Sequence, residues 1–386
     1  MKYFFFFACF VLLLGCVEYA PSDSNQSIDN QNRTLPIPSF SVTPVFTPQP
    51  TPDIKVAEPQ ELIPHENEFV FKESSGVKHL VPLNTFIPFS STNAITWPKF
   101  AKASNLNLNG EALILGLNFS GVAKAYPLSI MNWHQVVNDE ANGVPIVVSF
   151  SPACFTRVAF KRVLNGKTVV FEVSDYVFKN NLLLVDSASL SLWHQFTGLA
   201  IKGELSGSKL DRVPLQLMKM SDWLVLHNDS KVLLAPENTD LPYNQYPYGD
   251  YESNERIFFE PSNRDLRLRA KEVVLGINSG DYYRAYKVSV IPVVLNDEFN
   301  GEKLLVLRNP VTNETRVFDR VVNGTELLFF VQNSSLFDSK SKSSWNFDGK
   351  AIKSTSFKGV ELLEISSMVS YWFTWSMLYP ETSLIR

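Results

Sequence analysis

Three side chains in this sequence have types suited to chemistry: His134, Cys154 and His194. Cys154 ends the run Ser151-Pro152-Ala153-Cys154, His134 sits in Asn132-Trp133-His134-Gln135, and His194 follows Trp193. A thiolate and two imidazoles can hold a soft or borderline cation such as copper or zinc. A cysteine beside a histidine can instead work as an activated nucleophile, the imidazole taking the thiol proton. The plain alternative is a buried cysteine packed as a small apolar residue, with each histidine hydrogen-bonded in a core or at a helix end. No two of the three have metal-finger spacing, so the residues alone leave these readings open. Trp133, Trp193 and Asp186 flank the candidates and are expected to line any pocket there.

What singles these residues out is a repeat. Leu115-Gly116 recurs as Leu275-Gly276, Ala125-Tyr126 as Ala285-Tyr286, and Asn138-Asp139-Glu140 as Asn296-Asp297-Glu298. Phe160-Lys161-Arg162-Val163-Leu164-Asn165-Gly166 recurs as Phe318-Asp319-Arg320-Val321-Val322-Asn323-Gly324, and Asp186 with Trp193 as Asp338 with Trp345. The order holds throughout, which reads as a tandem duplication. Trp133-His134 has no counterpart, because the second copy is two residues shorter there and carries Pro292, a helix breaker. Ser151-Pro152-Ala153-Cys154 becomes Asn309-Pro310-Val311-Thr312, and Trp193-His194 becomes Trp345-Asn346. Only the first copy therefore carries the imidazoles and the thiol.

The shared positions set the elements. Asn-Gly pairs supply the positive φ angles of two-residue hairpins, and the flanking Val-, Leu- and Phe-rich runs at 144–150, 168–173, 182–185 and 327–331 read as strands. Residues 128–138 read as a short helix with Ile130, Trp133 and Val137 on one face, and 221–227 and 368–378 as short helices closing each copy. The expected fold is mainly β with a few short helices, in two tandem similar lobes. The join, 235–269, is rich in Pro, Tyr and Asn and is expected to wrap the surface. Its Tyr243, Tyr246, Tyr248 and Tyr251 could stack on sugars, but packing a wrapped linker suits them better. Asp139-Glu140 could be an acid–base pair, yet Asp297-Glu298 repeats it beside the same turn, which favours a structural role.

The formal net charge of −4 and the lack of a basic patch argue against a nucleic-acid partner. No phosphate-cradling glycine loop, Gly-x-Ser-x-Gly elbow or His-Glu-x-x-His is present. The start, Met1-Lys2-Tyr3, is followed by the apolar run Phe4–Leu14 and by Leu13-Leu14-Gly15-Cys16. This resembles the lipobox of bacterial lipoproteins, in which the cysteine is lipidated. Cys16 is then the lipidation site and the membrane a partner through that anchor. Val17 rather than aspartate follows, which favours the outer membrane or cell surface within the cell envelope. Residues 17–65, rich in Ser, Asn, Thr and Pro, form a tether reaching roughly 40 Å as a coil. The organisation is then a signal peptide at 1–16, a tether at 17–65, a first lobe at 66–236, and a linker with second lobe at 237–386. Of the three cysteines only Cys154 lies in the folded part, so no internal disulfide is expected.

The motifs Ala125-Tyr126-Pro127-Leu128, Asn132 to Asp139, Ser151 to Cys154, and Asp186 through Trp193 to Gly203 together resemble the bacterial and archaeal domain-of-unknown-function family 3179. The resemblance runs from about Leu83 to the end. It implies an exported or lipid-anchored protein and no particular activity. The family pattern reads Trp-His-Glu and Cys-Pro-x-Cys, whereas this chain has Gln135 and Ser151 at those places, and Asn181 where the family carries aspartate. A two-cysteine redox cycle within the motif is therefore impossible here, and a family metal or dithiol site would have lost ligands. The leading expectation is a lipid-anchored extracytoplasmic binding or interaction module, with its pocket where the Trp133-His134 helix meets the Cys154 loop. The alternative is a copper- or zinc-binding protein, or a thiol-dependent enzyme, using His134, Cys154 and His194.

Overall fold

Four of the hairpins turn where the sequence places Asn-Gly. Asn142-Gly143, Asn165-Gly166, Asn300-Gly301 and Asn323-Gly324 all carry positive φ at both residues, the geometry that matches the right-handed twist of flanking strands. The runs between these turns pair as antiparallel strands, and the protein is mainly β. The computed structural model describes residues 94–386 apart from 238, 259–263 and 355, plus the backbone of 70–73, 76–79 and 81–82. The expected signal peptide, Cys16 and the whole of the tether at 17–65 lie outside the described residues. Contacts group 55–386 into one compact unit.

The first half of this unit holds three main sheets. Strands 113–119 and 122–127 lie at the heart of the first, flanked by 216–219 on one side and by 231–233 and 100–102 on the other. Strands 136–141, 144–151, 156–161 and 212–213 form the second. Strands 171–178, 181–186, 192–194 and 199–202 form the third, with 81–82 added at its edge. The second half repeats the arrangement. Its sheets are 367–371/273–279/282–287/383–385, then 294–299/302–308/315–319/364–365, then 329–332/335–338/344–345/351–353. The registers match at the residues the sequence pairs: Gly116 lies opposite Ala125 and Leu115 opposite Tyr126, as Gly276 lies opposite Ala285 and Leu275 opposite Tyr286.

The same glycines show why their positions tolerate no side chain. A Cβ on Gly116 would stand 2.5 Å from the Trp223 ring, and one on Gly276 would stand 2.0 Å from Trp375. Each indole is fully buried against its strand and donates to a local hydroxyl, Trp223 to Ser230 at 2.7 Å and Trp375 to Thr382 at 3.0 Å. One end of each of two expected helices differs from expectation. The helix begun at Leu128 (α1, Leu128–His134) stops at Gln135, which takes φ 59°, and Val136-Val137 go into a strand. The helix placed at 368–378 is a strand to Tyr371 and a helix only over Trp372–Leu378 (α3). In both places the branched and aromatic residues gain more from a sheet than from another helical turn. The middle helix, α2, spans Met220–Leu226, close to the expected limits. At Pro292 the second half has only a short 3-10 turn, Val288–Val290, before its strand.

Candidate functional site

Helix α1 carries His134 and Trp133 inward, both buried. Its C-cap, Gln135, adopts a left-handed backbone (φ 59°) that costs a residue with a Cβ about 1–3 kcal/mol. Phe155, next to Cys154, also has positive φ (57°). Two such residues flanking one region mark it as over-determined by its surroundings.

Cys154 is fully buried and is the only free cysteine among the described residues. Its sulfur sits in a ring of neutral side chains. Sγ lies 3.0 Å from Ser151 Oγ and 3.2 Å from Thr156 Oγ1, and Asn181 Nδ2 donates to it at 3.0 Å. The direction of this network is set from outside. The Phe196 N–H donates to Asn181 Oδ1 at 2.9 Å, so the amide must turn its NH2 towards the sulfur. Gln195 Nε2 points at the carbonyls of Ser149 and Thr156, both at 3.4 Å, which leaves Gln195 Oε1 to accept from Thr156 at 2.7 Å and Asn181 at 3.1 Å. With its own proton spent on Gln195, Thr156 can accept from the thiol. The thiol thus has partners for a neutral S–H, and burial pushes its pKa up, outweighing the opposing effect of its hydrogen bonds with Ser151, Thr156 and Asn181. An activated nucleophile needs the reverse shift.

The join is not a passive linker. Its tyrosines close the space where α1 meets the Cys154 loop. Tyr243 shares a 2.6 Å hydrogen bond with His134 Nε2 and stacks on that ring at 5.8 Å. Trp133 Nε1 donates to the Gln245 carbonyl at 3.2 Å, and Gln135 Nε2 donates to the Tyr248 hydroxyl. Tyr251 donates to the Ala153 carbonyl at 3.0 Å and stacks on Phe258 at 4.1 Å. From the second half, the Tyr371 N–H donates to the Cys154 carbonyl at 2.9 Å, and its ring stacks on Phe155 at 5.3 Å. The pocket expected at this place is filled by these side chains. Burial, with the nearby thiol second, pushes the Tyr248 and Tyr251 hydroxyl pKa values up, so both stay neutral.

The other candidates are placed apart in function. His194 is buried, its Nδ1 shares a 3.0 Å hydrogen bond with Thr197, and Phe178 meets its ring edge-on at 5.9 Å. Burial first, and Lys179 next, lower its pKa to about 3. No imidazole is among the hydrogen-bond partners of the Cys154 thiol. Among the described residues no group of three or more His, Cys, Asp or Glu side chains could hold a metal ion, so His134, Cys154 and His194 are not brought together as one ligand set. Asp186 and Trp193 are fully buried and bonded to their own turn. The carboxylate accepts from the N–H groups of Ala188 (3.0 Å) and Ser189 (2.7 Å), from the Ser189 hydroxyl (2.7 Å) and from the Trp193 indole (2.9 Å). Asp338 does the same with Lys340, Ser341 and Trp345. This is a turn lock used twice. Asp139 is likewise structural: Lys124 and Tyr126 hold it, as Arg284 and Tyr286 hold Asp297.

Open space lies on the other side of the Cys154 loop. Two adjoining cavities, about 410 and 270 Å³, share Arg157, Glu314, Thr315 and Val369. They run between strand 156–161 of the first half and strands 315–319 and 367–371 of the second. Arg157 Nη2 lies 3.4 Å from Glu314 Oε1, with both side chains almost wholly buried. Burial raises the Glu314 carboxyl pKa, and Arg157 and the Leu217 N–H oppose it. Glu314, just ahead of strand 315–319, stands where Thr156 stands in the first half: the second half has a carboxylate where the first has the hub of the thiol network.

Sequence comparison within the chain found His134 and Cys154 but missed most of their partners. Thr156 and Gln195 carry no repeat signal that separates them from ordinary polar residues, and Asn181 stood out only as a departure from the family pattern. Tyr243, Tyr248 and Tyr251 were visible as a cluster, and only their target was not. A family model described as "Protein of unknown function (DUF3179)" matches residues 92–382. No curated protein and no solved structure matches the chain.

Proposed function

The chain belongs to that family of proteins of unknown function, and from this premise we propose that it is a binding or interaction module of the cell envelope, held by a lipid on Cys16, whose Cys154 centre is a structural hub. The unit arose by tandem duplication, which accounts for the matched registers, turn locks and Gly–Trp contacts in its two halves. The observation that carries the reading is the thiol's surroundings. Cys154 is fully buried, its hydrogen-bond partners are all neutral, and its pKa is raised rather than lowered. A catalytic thiol would sit partly exposed beside a cation or imidazole. A small ligand would enter the cleft around Arg157 and Glu314, where apolar walls from Leu217, Met218 and Val369 surround a few polar groups.

The test is metal analysis of the full chain from its native compartment, beside Cys154→Ser. The reading expects no stoichiometric copper or zinc in either protein. Stoichiometric metal in the parent that is lost in the variant would establish the metal-binding alternative instead.

A further inference from the structure

The two halves differ at one sheet edge in a way their shared register makes exact enough to compare atom by atom. In the first half, the outer edge of strand 136–141 is covered. Ile95 pairs with Val137 in a parallel bridge: the Ile95 N–H donates to the Val136 carbonyl at 2.9 Å, and the Asn138 N–H donates to the Ile95 carbonyl at 2.8 Å. The strand equivalent to this one in the second half is Val294–Phe299. The equivalence rests on hydrogen bonds made at the same places. Phe150 N–H donates to the Gln135 carbonyl as Arg308 N–H does to that of Val293. Asn138 exchanges two side-chain hydrogen bonds with the backbone of Phe171, and Asn296 does so with Phe329.

In an antiparallel pair alternate residues turn both backbone groups outward. Val293 faces Arg308, so Val294 and Asn296 face away from their partner strand, as Val136 and Asn138 do. No described residue bridges to this edge. Burial follows suit: Val136, Val137, Asn138 and Asp139 are all buried, whereas Val294, Leu295, Asn296 and Asp297 are each partly exposed. The third sheet of the first half also gains an outer strand, 81–82, that its counterpart lacks among the described residues.

We propose that the edge strand Val294–Phe299 is a docking site for an extended segment of a partner protein, added parallel to it with a branched apolar residue opposite Leu295. The first half supplies the template for the occupant, because Ile95 is such a residue in such a segment. Its N–H would meet the Val294 carbonyl and its carbonyl the Asn296 N–H. Main-chain pairing of this kind gives affinity, and side-chain fit at alternate positions gives selectivity. The proposal rests on strand pairing alone and holds whether or not the cleft takes a ligand.

The experiment is residue-resolved amide exchange on the full chain, with and without a synthetic peptide of residues 92–98 (Thr-Asn-Ala-Ile-Thr-Trp-Pro). Without peptide, the Asn296 amide should exchange at least tenfold faster than that of Asn138. With saturating peptide it should slow by at least tenfold while Asn138 is unchanged. The same peptide with Ile95→Pro, which lacks the donating N–H, should give no protection. Three results would each overturn the proposal: an Asn296 amide already as slow as Asn138 in the protein alone, no slowing by the peptide, or protection that grows with protein concentration and marks a second copy as the occupant.

Discussion

Asn181 presents its side-chain NH2 to the sulfur of Cys154 at 3.0 Å, and the Phe196 N–H, donating to the amide oxygen, holds it that way round. A carboxylate at this position would have no proton to offer the sulfur at neutral pH and would meet the Phe196 donor alone. The amide makes the centre a closed, uncharged network. That single orientation separates a structural thiol from a reactive one.

Asn181→Leu should therefore be costly. It strands the Phe196 N–H and removes three contacts of the amide group, to Cys154, Thr156 and Gln195. An unsatisfied buried donor costs about 1–3 kcal/mol, and the loss of the network adds to it. Urea unfolding should show a drop of roughly 2–4 kcal/mol. Cys154→Ser keeps a group that can donate and accept, and should lose less than Cys154→Ala.

Gly276→Ala should destabilise more than Gly116→Ala. The added methyl would reach 2.0 Å from Trp375 in one case and 2.5 Å from Trp223 in the other. Both indoles are buried, so the ring must shift and its hydrogen bond with it. Overpacking of this kind costs about 1–3 kcal/mol, and thermal melts of the two variants give the order directly.

His194 makes a prediction about acid. Its pKa falls to about 3 in the folded protein, chiefly through burial, from an ordinary 6.5. The unfolded chain then binds a proton that the folded one refuses. The stability tied to this group is fully present above the ordinary value and is lost as pH falls towards about 3. Each pH unit within that window removes about 1.4 kcal/mol. His194→Asn, the residue that the second half carries at Asn346, should flatten that slope. Partly buried Glu172 and the Arg157-paired Glu314, whose pKa values are raised, pull the other way, so the difference between parent and variant is the quantity to measure.

Arg157→Leu should cost roughly 3–5 kcal/mol, because it leaves the Glu314 carboxyl buried without its cation. Arg157→Leu combined with Glu314→Leu should recover most of that loss. A double-mutant cycle in urea would show the coupling as a departure from additivity.

Much of the fold was legible because its signals are local. Asn-Gly pairs name their turns, and Val- and Leu-rich runs name their strands. Two helix ends were misplaced because Val136-Val137 and Met368–Tyr371 satisfy a helical pattern but are drawn into sheets by tertiary pairing. The first-half histidines and thiol stood out by internal comparison, yet their chemistry did not. Whether Cys154 faces an imidazole or an amide depends on Asn181 and Gln195, which lie 27 and 41 residues further along the chain. The tyrosines of the join were recognisable as packing residues, while the surface they cover is decided only when residues 109 and 112 apart in sequence meet, as Tyr243 meets His134 and Gln245 meets Trp133.

The most direct test of the account is the alkylation rate of Cys154 in the native full chain, measured from neutral to mildly alkaline pH beside the denatured protein. The account predicts labelling only as fast as the protein unfolds, with full labelling in denaturant. Rapid stoichiometric labelling of the native protein at neutral pH, with a pH profile below that of an ordinary thiol, would contradict it.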